Sequence, residues 1–259
     1  MTWSIVATLG SGGLVGLALG LIGGGGSILA TPLLLYMVGV CPPHIAIGTG
    51  ALAVSANAYA NLIGHARSGN VRWRWAIVFA IFGTIGALTG STAGKLVNGD
   101  RLLFLFGILM LVVGAVMLRT RKAAAAGERK PDARTCAFTA LVAFVVGVTS
   151  GFFGVGGGFL IVPGLILATG MPMINAVGSS LLAVGSFGLA TAVNYTVSGL
   201  VDWQLAAEFI AGGVIGGVSG SALANRLAGN KTSLDRAFVA IIFVVAVYIL
   251  YRSGRSLFS

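Results

Sequence analysis

Apolar runs reaching the ~20 residues that a bilayer-spanning helix needs recur along this chain. They lie near residues 44–64, 73–94, 102–118, 174–195, 203–224 and 235–251, and two more apolar stretches, 5–38 and 135–170, are interrupted by glycine. Inside a bilayer every backbone polar group must be bonded within the protein, which continuous apolar helices achieve. Composition closes off the soluble alternative. Only 8% of the 259 residues are charged and the mean hydropathy is +0.99, whereas a soluble domain carries about 25% charged residues. The expected fold class is therefore an all-α polytopic membrane protein.

The net charge of +10 does not point to nucleic acid, because of where it sits. Arg119, Arg121, Lys122, Arg129, Lys130 and Arg134 fall in the one polar linker, residues 119–134, and Arg67, Arg72 and Arg74 fall in a shorter loop. Basic loops between apolar spans mark the cytoplasmic side of a membrane. The expected partners are the lipid bilayer and a small solute. Cys41 and Cys136 make no disulfide framework. The opening MTWSIVATLG lacks the basic start of a secretory signal and reads as part of the fold.

The chain is written twice. Shifted by 131, Gly16–Gly39 matches Gly147–Gly170 at 9 of 24 positions, and GLIGGGGSILATP lies on GFFGVGGGFLIVP. After a one-residue gap the shift is 130, and Ala46–Ser91 matches Ala176–Ser221 at 17 of 46 positions. Biased composition would match glycines and alanines; it would not also keep Pro32 on Pro163 and Trp73 on Trp203 in register. Residues 1–118 form a first repeat, 119–134 a basic cytoplasmic linker and 135–259 a second repeat. Each repeat holds one glycine-broken segment (5–38 and 135–170) and three spans.

A non-helical glycine run survives at membrane depth only where protein or a water-filled cavity surrounds it. Gly23–Ser27 and Gly154–Gly158 are thus expected inside the protein. Each broken segment either crosses the membrane or turns back as a hairpin; the first makes the repeats parallel, the second inverted. The loop with Arg67, Arg72 and Arg74 corresponds to YTVSGLVDWQ, residues 195–204, which has no basic residue. Equivalent loops of such different charge favour opposite sides of the membrane, and so inverted repeats. Repeats with discontinuous helices are a transporter architecture, with substrate held near the midplane.

Each break would leave a half-helix N-terminus inside the protein, at Ser27-Ile28 and at Gly158-Phe159, with N–H groups suited to an anion. The expected substrate-binding residues are Gly23, Gly25, Gly26 and Ser27 with Gly154, Gly156, Gly157 and Gly158. Further donors come from the next spans: Thr49 and Asn57, which share a face with Asn61, and Ser179 and Ser180. The same small and polar residues also serve as glue between membrane helices. Glu208 is a possible coupling acid near the interface. His44 and His65 stand at opposite ends of one span and cannot share a metal, so neither metal nor cofactor is expected. Trp73, Trp75 and Trp203 read as interfacial anchors. No nucleophile and base lie at one depth, and no Lys follows the glycine run, which argues against an enzyme.

The duplicated G-x-x-G-x-G-G-[GS]-x-[LI]-x-x-P segments, the Gly-[TS] opening of the following span and the basic central linker resemble the sulfite exporter TauE/SafE family of membrane transporters. The likeness covers nearly the whole chain. It implies a multi-pass carrier of the bacterial cytoplasmic membrane, two inverted halves, and a small anion such as sulfite or an organosulfur acid as substrate. Gly23, Gly25, Gly26, Gly154, Gly156 and Gly157 match the family's glycines and Pro32 and Pro163 its prolines, while Ser27 stands where the second copy has Gly158. The expected function is a secondary transporter, an exporter. An anion channel and a non-transporting membrane subunit are the alternatives.

Overall fold

The computed structural model describes residues 2–119, 132–154, 156, 158–226, 246–248, 250 and 251. Gly157, residues 120–131 of the linker and most of the span expected at 235–251 lie outside the described residues. Every regular element among the described residues is helical. Helix α1 (Thr2–Ile22) runs into a 3-10 stretch, Gly23–Leu29, then a single α turn, α2 (Ala30–Leu33), and a π-helical turn, Leu34–Val38. Helices α3 (Pro43–Arg67), α4 (Trp73–Lys95) and α5 (Gly99–Arg119) complete the first repeat. The second holds α6 (Ala133–Phe153), α7 (Gly158–Thr169), α8 (Met173–Val197) and α9 (Trp203–Arg226). Five of these segments are long and apolar enough to cross a membrane: Ile5–Val38, Trp73–Lys95, Ala133–Phe153, Met173–Val197 and Trp203–Leu223.

The helices are small inside and apolar outside. On α4, Ala76, Phe79, Ala80, Gly83, Gly86, Ala87 and Gly90 are buried, while Trp73, Ile77, Ile81 and Ile85 on the opposite face are exposed. That inverts the pattern of a soluble helix and suits a lipid surround, where small residues let helix backbones approach. The approach is direct. A methyl group at Gly12, Gly16 or Gly20 of α1 would overlap backbone of Phe209, Gly213 or Gly217 of α9. Likewise Gly86, Gly90 and Gly94 of α4 meet the backbone of Phe144, Val148 and Phe152 of α6.

These contacts also give directions. Residue numbers rise together along α1 and α9, and along α4 and α6, so each pair is parallel and joins the two repeats crosswise. Helices α3 and α8, which occupy equivalent places in the two repeats, run antiparallel: Ser55 Oγ donates to the Gly185 carbonyl at 2.7 Å, while Gly48 sits against Tyr195 and Gly178 against Asn70. Both glycine breaks reverse the chain. Gly26 packs on the backbone of Ala18 and Leu19, and Gly164 of α7 lies beside Val142 and Val146 of α6.

Trp73 and Trp203 are exposed, as interfacial anchors require, but Trp75 is buried. It joins the core, with the Arg74 guanidinium 5.9 Å from its ring centre. Its place on the inward face of α4, two residues after Trp73, explains the difference.

Candidate functional site

The two glycine breaks meet. A Cβ at Gly158 would overlap the backbone of Gly24, and one at Gly24 would overlap Gly158. Positive φ values of 69° at Gly23, 65° at Gly154 and 66° at Gly156 lie in the left-handed region that only glycine enters without strain. Gly23 through Ser27, with Gly154, Gly156 and Gly158, are all buried. Val54 of α3 and Val184 of α8, equivalent across the repeats, both line Gly156.

Hydroxyls stitch this junction. The Gly158 N–H donates to Ser27 Oγ at 3.2 Å, and Ser27 Oγ donates to the Gly24 carbonyl at 2.8 Å. The Gly24 N–H donates to Ser180 Oγ at 3.2 Å, and Ser180 Oγ donates to the Val177 carbonyl at 2.7 Å. Each serine thus relays an amide of one repeat to a carbonyl, and the breaks are joined without an ionised side chain. Ser27 and Gly158 occupy equivalent positions of the two repeats.

The two breaks differ in form. In the first, the chain is already helical from Gly23, as a 3-10 stretch leading into α2, so Ser27 lies within that stretch and no clean helix N-terminus begins there. In the second, Gly154 and Gly156 form a turn and α7 starts at Gly158. Four successive glycines allow the tighter 3-10 winding, in which backbones crowd more closely; Val155 interrupts the glycines of the second copy.

Thr49 and Ser179 make a matched pair of bonds. Thr49 Oγ1 accepts from the Asp202 N–H at 2.9 Å, and Ser179 Oγ accepts from the Arg72 N–H at 2.8 Å. These matched bonds tie α3 and α8 to the entries of α9 and α4 in the opposite repeat. Asn57 is fully buried against Gly213 of α9, and neither its Oδ1 nor its Nδ2 has a partner among the described residues. Glu208 is half-buried near the start of α9, where its Oε1 accepts from Gln204 Nε2 at 3.3 Å.

Two features escaped the sequence reading. The first is the four-residue spacing of Gly12, Gly16 and Gly20 and of Gly86, Gly90 and Gly94, a small-residue signature of close helix crossing. The second is His65, buried with Nε2 3.1 Å from the Gly20 carbonyl oxygen. Its spacing of four from Asn61 and eight from Asn57 was the available signal.

Known proteins agree with one another. The family model described as "Sulfite exporter TauE/SafE" matches residues 8–249. A probable membrane transporter protein of Xylella fastidiosa (strain 9a5c) is 60% identical, the alignment covering 98% of each chain. The probable membrane transporter protein YunE of Bacillus subtilis (strain 168) is 28% identical over 96% of each chain. No solved structure gives a match of significance. With broken, back-folded helices meeting at its centre, small residues facing inward and apolar ones outward, the chain is a multi-pass membrane protein that belongs to the sulfite exporter TauE/SafE family.

Proposed function

We propose that this protein is a secondary transporter that exports a small anion, sulfite or an organosulfur acid, across the bacterial cytoplasmic membrane. The observation that carries the reading is the contact of the two glycine breaks deep in the protein, where the Gly24 and Gly158 amides point at serine hydroxyls. Those hydroxyl oxygens stand where anion oxygens would accept. An arriving anion takes both N–H groups, and Ser27 and Ser180, released as acceptors, rotate to donate to it. Gly23, Gly25, Gly26, Gly154, Gly156 and Gly157 let the backbone approach closely, and Asn57 adds a neutral amide donor one turn beyond Val54. A neutral site of amides and hydroxyls suits a small oxyanion that must be released again. The sulfur anion itself is supported by the family description, and a transporter rather than an enzyme by the names of the relatives.

The halves are proposed to be inverted. The antiparallel run of α3 against α8 supports this, as does the contrast between the basic loop 67–74 and its equivalent, residues 195–204, which has no basic residue. Because α1 packs on α9 and α6 on α4, the bodies that move in alternating access are these crosswise pairs, not the two repeats as units. Contact between Gly24 and Gly158 favours a carrier over a channel, whose continuous pore would have to pass where these backbones touch.

Proteoliposomes of the purified protein, loaded with labelled sulfite and challenged with thiosulfate, sulfoacetate, sulfate and acetate, test the reading. Competition by sulfur anions alone supports it; no flux of any of them through correctly inserted protein sinks it. Gly156→Val, which forces a branched side chain onto a positive φ beside Val54, is expected to abolish that flux.

A further inference from the structure

The break after α1 separates two groups that an unbroken helix would pair. In a continuous α-helix the Gly24 N–H would donate to the Gly20 carbonyl. Here it donates to Ser180 Oγ across the repeats, and His65 of α3 serves the Gly20 carbonyl instead, at 3.1 Å. A carbonyl only accepts, so Nε2 carries the hydrogen, and the neutral ring presents Nδ1 as a bare acceptor. Nδ1 is buried with no partner among the described residues. One and two turns back on the same face of α3 stand Asn61, whose Nδ2 donates to the Asn57 carbonyl at 2.9 Å, and Asn57, whose amide is unpartnered. Asn57 and Asn61 lie against Gly213 and Gly217 of α9. Together these residues form a buried polar seam leading from the turn after Val54, which lines the junction, to His65.

The charged groups on α1, α3 and α9 place no carboxylate beside His65. Helix α1 carries none. Helix α9 carries Glu208, near Phe209 at the level of Gly12, and Arg226 in its last turn, with Asp202 just before its start. Both carboxylates therefore sit at the end of α9 remote from Gly217, Gly20 and His65. Helix α3 carries exposed Arg67 beyond His65 and His44 at its far end, and Arg72 follows in the exposed loop.

We propose that His65 is the proton-carrying residue of the transport cycle, taking a proton at Nδ1 as an anion enters the glycine junction and releasing it as the anion leaves. This rests on the anion-carrier reading above. Gly20 and Gly24 stand on either side of the break after Ile22, so the imidazolium and the anion form on groups that one interruption of the backbone has freed. The proton comes from solvent and adds to the Nδ1 lone pair; no other bond forms or breaks. The Nε2 bond to the Gly20 carbonyl is kept in both charge states and holds the ring in place. Linkage is reciprocal: whatever the anion does for proton affinity, the proton does for anion affinity.

The test measures thiosulfate binding to the purified full-length protein from acidic to mildly alkaline pH, a range over which the charge of thiosulfate does not change. The expected wild-type result is affinity that weakens as pH rises, by up to about tenfold per pH unit for one linked proton, with proton uptake on binding seen by an indicator dye in weak buffer. His65→Gln, which keeps an N–H for the Gly20 carbonyl, is expected to bind with a flat pH profile and no proton uptake, and His65→Asn likewise. His44→Gln is expected to keep the wild-type slope. A slope retained in His65→Gln, an equal loss of affinity at every pH, or wild-type binding without proton uptake overturns the proposal while leaving the carrier reading intact. Absence of both binding and flux for every anion tried removes the carrier reading itself, and the proposal with it.

Discussion

Positions 57, 61 and 65 of α3 and positions 187, 191 and 195 of α8 are the same places in the two repeats, yet one reads Asn–Asn–His and the other Phe–Thr–Tyr. Both stripes are buried, and both begin against a glycine on the opposite repeat's helix: Gly213 beneath Asn57 and Gly83 beneath Phe187. In the second repeat the ring fills its seat and stacks on Phe79, with centroids 6.3 Å apart. In the first, an amide occupies the seat and leaves its polar atoms without partners among the described residues. Farther along the second stripe the Thr191 and Tyr195 hydroxyls are also buried without partners among the described residues, so the contrast of plug and amide lies at the 57/187 seat. A duplicated fold can thus become chemically one-sided at such a seat by exchanging side chains alone.

The comparison is broken most severely by closing the seams on which both halves depend. Gly16→Leu on α1 and its equivalent Gly147→Leu on α6 each force a side chain into facing backbone, at a cost of about 3 kcal/mol or more. Loss of monodisperse protein on size-exclusion chromatography is expected for both, and a large disparity between them would show that the crosswise pairs are not equivalent. Gly158→Ala should reduce anion exchange more than tenfold in inserted protein, because its methyl overlaps Gly24; exchange at wild-type rate would separate the junction from transport.

Swapping the stripes sharpens the contrast. Phe187→Asn leaves a cavity and an unpaired amide, and should cost about 3 kcal/mol in detergent unfolding. Asn57→Phe is expected to spare more stability, at about 1–3 kcal/mol of overpacking, while suppressing flux. Equal effects of the two on flux would argue against a one-sided seam.

The smallest effect lies outside the membrane. Asp132, which caps α6, accepts from the Thr135 N–H at 2.9 Å, and its hydrogen bonds with Thr135 hold its carboxyl below the usual range. A depressed folded pKa stabilises above the unfolded carboxylate pKa of about 3.9 and is lost as pH falls through the lower folded value. Asp132→Ala should therefore lower the melting temperature by only about 1 °C at neutral pH, by analogy with exposed caps, and by nothing once the wild-type carboxyl is protonated.

Much of the helix plan was legible because apolar runs and their breaks are written in composition. The expected spans at 73–94 and 203–224 fall within a few residues of α4 and α9. Ser180 could be named because a hydroxyl among alanines and leucines on a membrane helix stands out. What its partner would be could not, since Gly24 lies 156 residues away and glycine offers no side chain to suggest a contact. Thr49 and Ser179 look the same in sequence as Ser180, yet accept from the Asp202 and Arg72 N–H groups; a rotation of one residue along a helix decides which backbone each hydroxyl meets. His65 was read by its distance from His44, as half of an impossible metal pair. The relevant distance was to a carbonyl exposed by a broken helix, and only the tertiary fold supplies that.

The crosswise seams also bear on how the molecule is made. Helix α1 leaves the ribosome before α9, which covers its glycine face some two hundred residues later in synthesis. Until then the nascent chain must carry an uncovered strip of backbone in the lipid. The α1 face is therefore closed only once α9 is made, and a product that stops before Trp203 would leave that strip permanently bare. Quality control in the membrane would meet such a fragment as an unfinished helix pair, so premature termination should yield degradation rather than a smaller working half.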